Sequence, residues 1–428
     1  MNTGLLNPLA NLRTTTSIGD PAIERLYRSI TVIALFNFFI VSVVGLLLRA
    51  YPLYSIPIVS FKNVLHAHSH FAFGGWIMPA LLAMLLKYFP EIASLLSIRH
   101  MRNIWVMMLV SSYGMLMSFP FQGYALVSIL FSSLSIGAGF YMAYIFWIAT
   151  SYYKQQASMR FLRAGLVYLT ISALGPFATG PLIAMGYAGS PIYFNSIYFF
   201  LHFQYNGWFT FAILAIVYKM LNLETRSSKW AFYLMSISCA PAYFLSTLWS
   251  HPGIELNVVG GTAAVLQLIA ACLILPDFTR RRSYIQANNG LFQLAIIFFV
   301  LKNVLQLASS FPEVADIVYR QRNFTIAYLH MVLLGFVTLF LLGAIVDRKC
   351  IVNHRRLRTS TTLFILSFLV TEILLVVNAS GYNIAIGPFR FHALIFIASV
   401  LLPLSIAMIW KETRLMLTQV DLATNYTD

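Results

Sequence analysis

The chain has 428 residues, 59% of them hydrophobic and only 10% charged, with nine histidines, three cysteines and a formal net charge of +15. A soluble domain carries about 25% charged residues, so composition excludes an ordinary soluble protein. Apolar runs near the ~20 residues needed to cross a bilayer recur along the chain, which predicts an all-α, polytopic membrane protein in contact with lipid. The positive charge falls in alternate loops rather than on one face, which argues against a nucleic-acid partner. Cys239, Cys272 and Cys350 are scattered without a CxxC pair, which argues against a disulfide framework or a thiolate metal site.

In chain order, residues 1–24 are polar and lack the apolar core and cleavage site of a signal peptide. They are expected to form a short cytoplasmic tail. Residues 25–412 are expected to be a single transmembrane domain, and 413–428 a second cytoplasmic tail. Within that domain twelve spans are predicted at 26–49, 63–87, 102–122, 125–152, 161–187, 193–219, 229–249, 257–276, 289–309, 323–346, 359–380 and 390–411. The breakers "SFPFQGY", "SHPG" and "SGYNIAIGPF" fall between spans, where turn chemistry belongs.

Of the 28 lysines and arginines, 22 lie in the N-terminus, the even-numbered loops and the C-terminus, including Arg280–Arg281–Arg282 and Arg355, Arg356 and Arg358. The odd-numbered loops hold Arg49, Lys62, Arg320, Arg322 and Arg390, and Lys302 lies inside a span. Positive loops stay inside, so both termini are expected in the cytoplasm of a bacterial inner membrane.

His100 and His354 sit in basic loops. The other seven histidines lie in or beside spans: His66, His68 and His70 in span two, His202 in span six, His251 just after span seven, His330 in span ten and His392 in span twelve. With the orientation above, all seven lie toward the outer face. Helix rise places His202 and His330 roughly 10–15 Å below that boundary. Ionisable side chains in lipid are costly and mark functional sites, and neutral imidazole ligates metals and haem iron. His66 and His70 share a helix face while His68 points about 200° away, so His68 and His70 compete for any one partner.

A local pattern recurs on three of these spans. "HFAFGGW" from His70, "HFQYNGW" from His202 and "HMVLLGF" from His330 each carry glycine five residues after the histidine, then an aromatic. Glycine permits close approach of a helix or a flat macrocycle. Lys302 and Glu372, each 12–13 residues into its span, have matching depths. An unpaired charge there costs several kcal/mol, so the two are expected to pair, and Glu372 is also a candidate proton carrier.

Twelve spans with histidines on two, six, the end of seven and ten resemble subunit I of the haem–copper oxidase and nitric oxide reductase superfamily. "FTIAYLHMVLLGFV" is similar to the tenth helix of cbb-type oxidases, whose second histidine binds low-spin haem and corresponds to His330. The resemblance implies haem b held by His330 with His70 or His68. "LHFQYNGW" resembles the segment that binds the non-haem metal of nitric oxide reductases, which implies copper or non-haem iron at His202, with His251 as a second ligand. Tyr328 stands where the catalytic haem's histidine is usual and Ser250 replaces one metal histidine, so Tyr328 would line a degenerate site. The resemblance further implies oxygen or nitric oxide reduction, a quinol or cytochrome c donor, and partner subunits. Arg320, Arg322 and Arg390 are candidates to neutralise haem propionates. "HSHFAFGGW" is also similar to NnrS-family proteins, which would imply a non-catalytic haem or metal protein of nitric oxide stress. A secondary transporter is the third reading, against which the outer layer of polar residues argues.

Overall fold

The computed structural model describes residues 20–280, 290–346, 354–381 and 387–425. Residues 1–19 of the expected N-terminal tail, Arg281, Arg282 and Cys350 lie outside the described residues. Among the described residues, twelve helices are long and apolar enough to cross a membrane. They are α1 (Pro21–Ala50), α2 (Phe61–Tyr88), α3 (Ile98–Gln122), α4 (Leu126–Tyr153), α5 (Ala157–Ala184), α6 (Pro191–Leu221), α7 (Arg226–Ser250), α8 (Ile254–Phe278), α9 (Leu291–Ala308), α10 (Arg322–Ile345), α11 (Arg355–Ala379) and α12 (Pro388–Thr418). Several begin where capping chemistry dictates. The Asp20 carboxylate accepts from Ala22 N–H ahead of Pro21, and the Ser60 hydroxyl accepts from Asn63 N–H. The last helix continues to Asn425, so most of the expected C-terminal tail is helical.

The chain is a multi-pass helical membrane protein, and burial sorts its helices into two kinds. In α2, α6 and α10, 72%, 83% and 67% of the most apolar stretch is buried, against 28–39% for the other nine. Three helices therefore form the axis and nine surround it. The outer nine carry large apolar side chains on their free faces, such as Met117, Ile237 and Ile397, as contact with lipid requires.

The three axial helices are four apart in sequence and carry the repeated histidine–glycine–aromatic pattern. In each, the α-helix widens to a π-helical stretch just after the histidine: Ala72–Ile77, Phe203–Phe209 and Met331–Thr338. One extra residue per turn rotates everything downstream by about 100° relative to an uninterrupted helix. The pattern's aromatics then lock the axis. Trp76 Nε1 of α2 donates to Thr338 Oγ1 of α10 at 3.0 Å, and Trp208 Nε1 of α6 donates to Met78 Sδ of α2 at 2.9 Å. In both, the indole is six residues past its own histidine and the acceptor eight past that of the neighbouring helix. Phe336 occupies the third such position and packs on Phe299 instead. The pattern's glycine admits a surrounding helix, since a Cβ on Gly207 would lie 2.5 Å from Tyr168 Cβ of α5.

Helix adjacency closes three rings of five, each sharing two axial helices: α2 to α6, α6 to α10, and α10, α11, α12, α1 and α2. Every membrane histidine of the axis faces into one of these rings.

Candidate functional site

The ring of α10, α11, α12, α1 and α2 gathers the largest set of ionisable groups. His68 of α2 turns toward α1, where its Nδ1 lies 3.1 Å from the Val41 carbonyl oxygen. Its ring rests on Gly45, and a Cβ there would stand 3.0 Å from His68 Cε1. Glycine at 45 thus leaves the seat that the imidazole occupies. His330 of α10 points toward α11, with Nδ1 3.3 Å from Glu372 Oε1. That carboxylate oxygen is buried and makes no hydrogen bond. His68 lies within electrostatic reach of His330 and Arg49. Arg49, in the last turn of α1, is within reach of Glu372 and of His392 on α12.

Both imidazoles therefore have Nδ1 against an acceptor, a backbone carbonyl in one case and a carboxylate in the other. Neither Nε2 makes a hydrogen bond among the described residues. For His68 this matches a ligating imidazole whose second nitrogen is oriented by an outer acceptor, whereas His330 stands near the Glu372 carboxylate without a hydrogen bond to it. The His330 side chain is 31% exposed although it sits in a packed axial helix.

The sequence left His68 and His70 as alternatives opposite His330, and the geometry selects His68. His70 lies on the other side of α2, stacked on Phe119 at 4.7 Å, with Nε2 2.8 Å from the Tyr124 hydroxyl. It faces α3 and not α10, so its assignment as the partner of His330 is corrected. The arginines are also redistributed. Arg320 is bound to Asp316 within the short helix Pro312–Arg320 and is exposed. Arg322 is within reach of Tyr198 on α6, on the side of a different ring. Arg390 is exposed in the first turn of α12, a helix of this ring. Arg49 is the member that sequence reasoning missed. The signal available was a lone arginine at the end of an otherwise apolar helix, which reads equally well as a headgroup anchor.

The ring of α6 to α10 holds the residues expected to form a second metal site, and they do not assemble one. His202 is 1% exposed. Its Nε2 donates to the Cys239 carbonyl at 2.8 Å, and its Nδ1 accepts from Asn206 Nδ2 at 3.1 Å. Both nitrogens are therefore used within the fold. His251 follows a ten-residue 3₁₀ stretch, Pro241–Ser250, which rises about 2.0 Å per residue. That places it on the order of 20 Å from the level of Cys239, exposed beside Tyr319 with a left-handed φ of 51°. The pairing of His202 with His251 is corrected on that ground. Tyr328 packs edge-on against Tyr205, ring centroids 6.5 Å apart.

Lys302 also belongs to this ring. It is 1% exposed, its Nζ donates to Gln306 Oε1 at 3.3 Å, and it is within reach of His202 and Cys239. Glu372 is on the far side of α10, so the expected Lys302–Glu372 pair does not form. Equal depth put the two at one level, but α10 stands between α9 and α11. Nearby, Asn206 Oδ1, Gln267 Oε1 and Asn303 Oδ1 are buried without partners. Among the described residues, no three His, Cys, Asp or Glu side chains converge to hold a metal ion.

No protein-family model matches the chain, and no curated protein is detectably similar to it.

Proposed function

We propose that the protein is a haem-b-binding redox protein of the bacterial cytoplasmic membrane, in which His68 and His330 would hold one low-spin haem. The observation that carries this reading is the shared state of the two imidazoles. They stand on adjacent axial helices, face one ring, have Nδ1 against an acceptor and keep Nε2 free. His68 and His330 would hold the haem, which would supply single-electron transfer when bound.

The chain's own residues have defined parts in that reading. The Val41 carbonyl fixes the direction of the His68 imidazole, and the Glu372 carboxylate stands 3.3 Å from His330 Nδ1 and would place negative charge beside it. Gly45 leaves room for the His68 ring. Arg49 and Arg390 supply positive charge for haem propionates at the end of the bundle that carries the odd-numbered loops. The sparse charge of those loops, against the 22 basic residues of the other side, supports an orientation with that end outside the cytoplasm. A quinol or a cytochrome c is the expected electron donor.

Reduction of oxygen or nitric oxide, which the family resemblance implies, is left out of the proposal. It needs a second metal beside the haem, and His202 has no free nitrogen while His251 is remote. The test is a reduced-minus-oxidised visible spectrum of the purified protein. Low-spin b-type bands abolished in H68A and in H330A, yet retained in H202A, support the reading. A haem-replete preparation without such bands, or bands that survive the H68A/H330A double change, refutes it.

A further inference from the structure

The third ring, α2 to α6, uses the opposite face of α2 from the one that carries His68. Here His66 and His70 are four residues apart in the regular α-helical segment Phe61–Phe71, so their rings share a face. Both stand edge-on to Tyr124, in the turn between α3 and α4, with ring centroids at 4.8 and 5.9 Å. Phe119 floors the group, stacked beneath His70 at 4.7 Å and 6.0 Å from His66. The turn is docked rather than loose. Gly123 has φ +61°, and Asn63 Nδ2 of α2 donates to the Pro120 carbonyl at 3.4 Å.

The polar atoms of this cluster are incompletely matched. The Tyr124 hydroxyl is 2.8 Å from His70 Nε2. The phenol, half exposed at the turn, donates to that ring nitrogen. His66 Nε2 is buried and has no partner at all. A buried unpartnered nitrogen costs free energy that a native fold recovers elsewhere. The Tyr124 ring stands 4.8 Å from the His66 ring and the Tyr124 hydroxyl meets His70 Nε2, so two imidazoles and one phenol oxygen, all donors to a transition metal, are gathered in one cluster.

We propose that His66, His70 and Tyr124 bind one copper(II) ion, at a site separate from the haem ring. Two imidazoles at i and i+4 on one helix chelate a single ion, and imidazole with a hard oxygen suits copper(II), the strongest binder among the first-row divalent ions. The ion takes His66 Nε2 and His70 Nε2, and the Tyr124 oxygen becomes the third donor as its proton leaves to bulk water. Lys62, within electrostatic reach of His66, is exposed, so its ammonium is solvated. The proposal requires no electron transfer.

The test is a copper(II) titration of the untagged full chain in detergent, followed by calorimetry and electron paramagnetic resonance. The expected result is one copper per chain with hyperfine structure from two nitrogens. H66Q/H70Q weakens binding by at least about tenfold, and Y124F removes the visible phenolate-to-copper charge-transfer band. Size-exclusion elution and helical circular dichroism report that each variant is folded. H68A/H330A separates the two sites, because it keeps copper while it loses haem. Wild-type protein that binds no copper overturns the proposal. So does folded H66Q/H70Q that binds copper with undiminished stoichiometry and affinity.

Discussion

The rings on either side of α10 contain similar ingredients and treat them oppositely. In one, His330 has Nδ1 3.3 Å from Glu372 Oε1 without a hydrogen bond, and its Nε2 is free among the described residues. In the other, His202 spends both nitrogens, on the Cys239 carbonyl and on Asn206. The charges differ in the same sense. Arg49 lies within reach of Glu372, whereas the closest hydrogen-bond partner of buried Lys302 is the neutral amide of Gln306. Availability of an imidazole to a ligand is thus decided by what its second nitrogen touches, not by the helix that carries it.

Four substitutions break or sharpen that contrast. The largest effect is expected at Gly45, where the imidazole seat is filled by any side chain. G45L has its Cβ at 3.0 Å from His68 Cε1 and further atoms beyond it, so it should abolish haem retention outright, as read from the ratio of haem absorbance to protein.

Next comes Glu372. E372Q keeps the shape but loses the charge beside His330, and outer acceptors of this kind are worth roughly 10–100-fold in affinity. Haem should dissociate faster to an apo-globin acceptor, and the midpoint potential should rise. An unchanged off-rate would remove Glu372 from the account.

K302M probes the other ring. An ionised lysine at the centre of a membrane helix costs about 2.5–3.5 kcal/mol, and methionine fills similar volume. The variant should unfold at higher temperature than wild type while its haem spectrum is unaltered. A lower unfolding temperature would show that Lys302 is stabilised by a partner.

The smallest effect is expected at the axis itself. W76F removes the indole bond to Thr338 but preserves the stack on Phe38, whose centroid is 4.6 Å away. The loss should be about 0.5–1.5 kcal/mol, measured as a modest fall in thermal midpoint with haem content intact.

The twelve helices were legible from length and apolarity alone, because apolar runs of about 20 residues match a helical crossing, whereas a membrane strand needs only about 9–11. The repeated histidine–glycine–aromatic pattern also pointed to α2, α6 and α10, and these became the axis. Which way each side chain faces was harder to read. Lys302 and Glu372 were matched by depth, but helix rise says nothing about azimuth, and α10 separates them. His70 and His68 differ by 200° on one helix, so the choice between them needed the position of α1, which presents the Val41 carbonyl and the bare backbone of Gly45. The π-helical stretches add a further rotation that a 3.6-residue period does not foresee. Arg49 was hidden for a related reason. At the end of a helix it has the profile of a lipid anchor, and only the closure of α11 and α12 around it brings Glu372 and His392 within range.

The assignment of His68 rather than His70 as the partner of His330 is the claim on which the rest depends. The direct measurement is the reduced-minus-oxidised visible spectrum of H68A and H70A, prepared side by side with equal haem supply. The account predicts that H70A retains the low-spin bands at wild-type intensity and that H68A loses them. Bands lost in H70A and retained in H68A would contradict it.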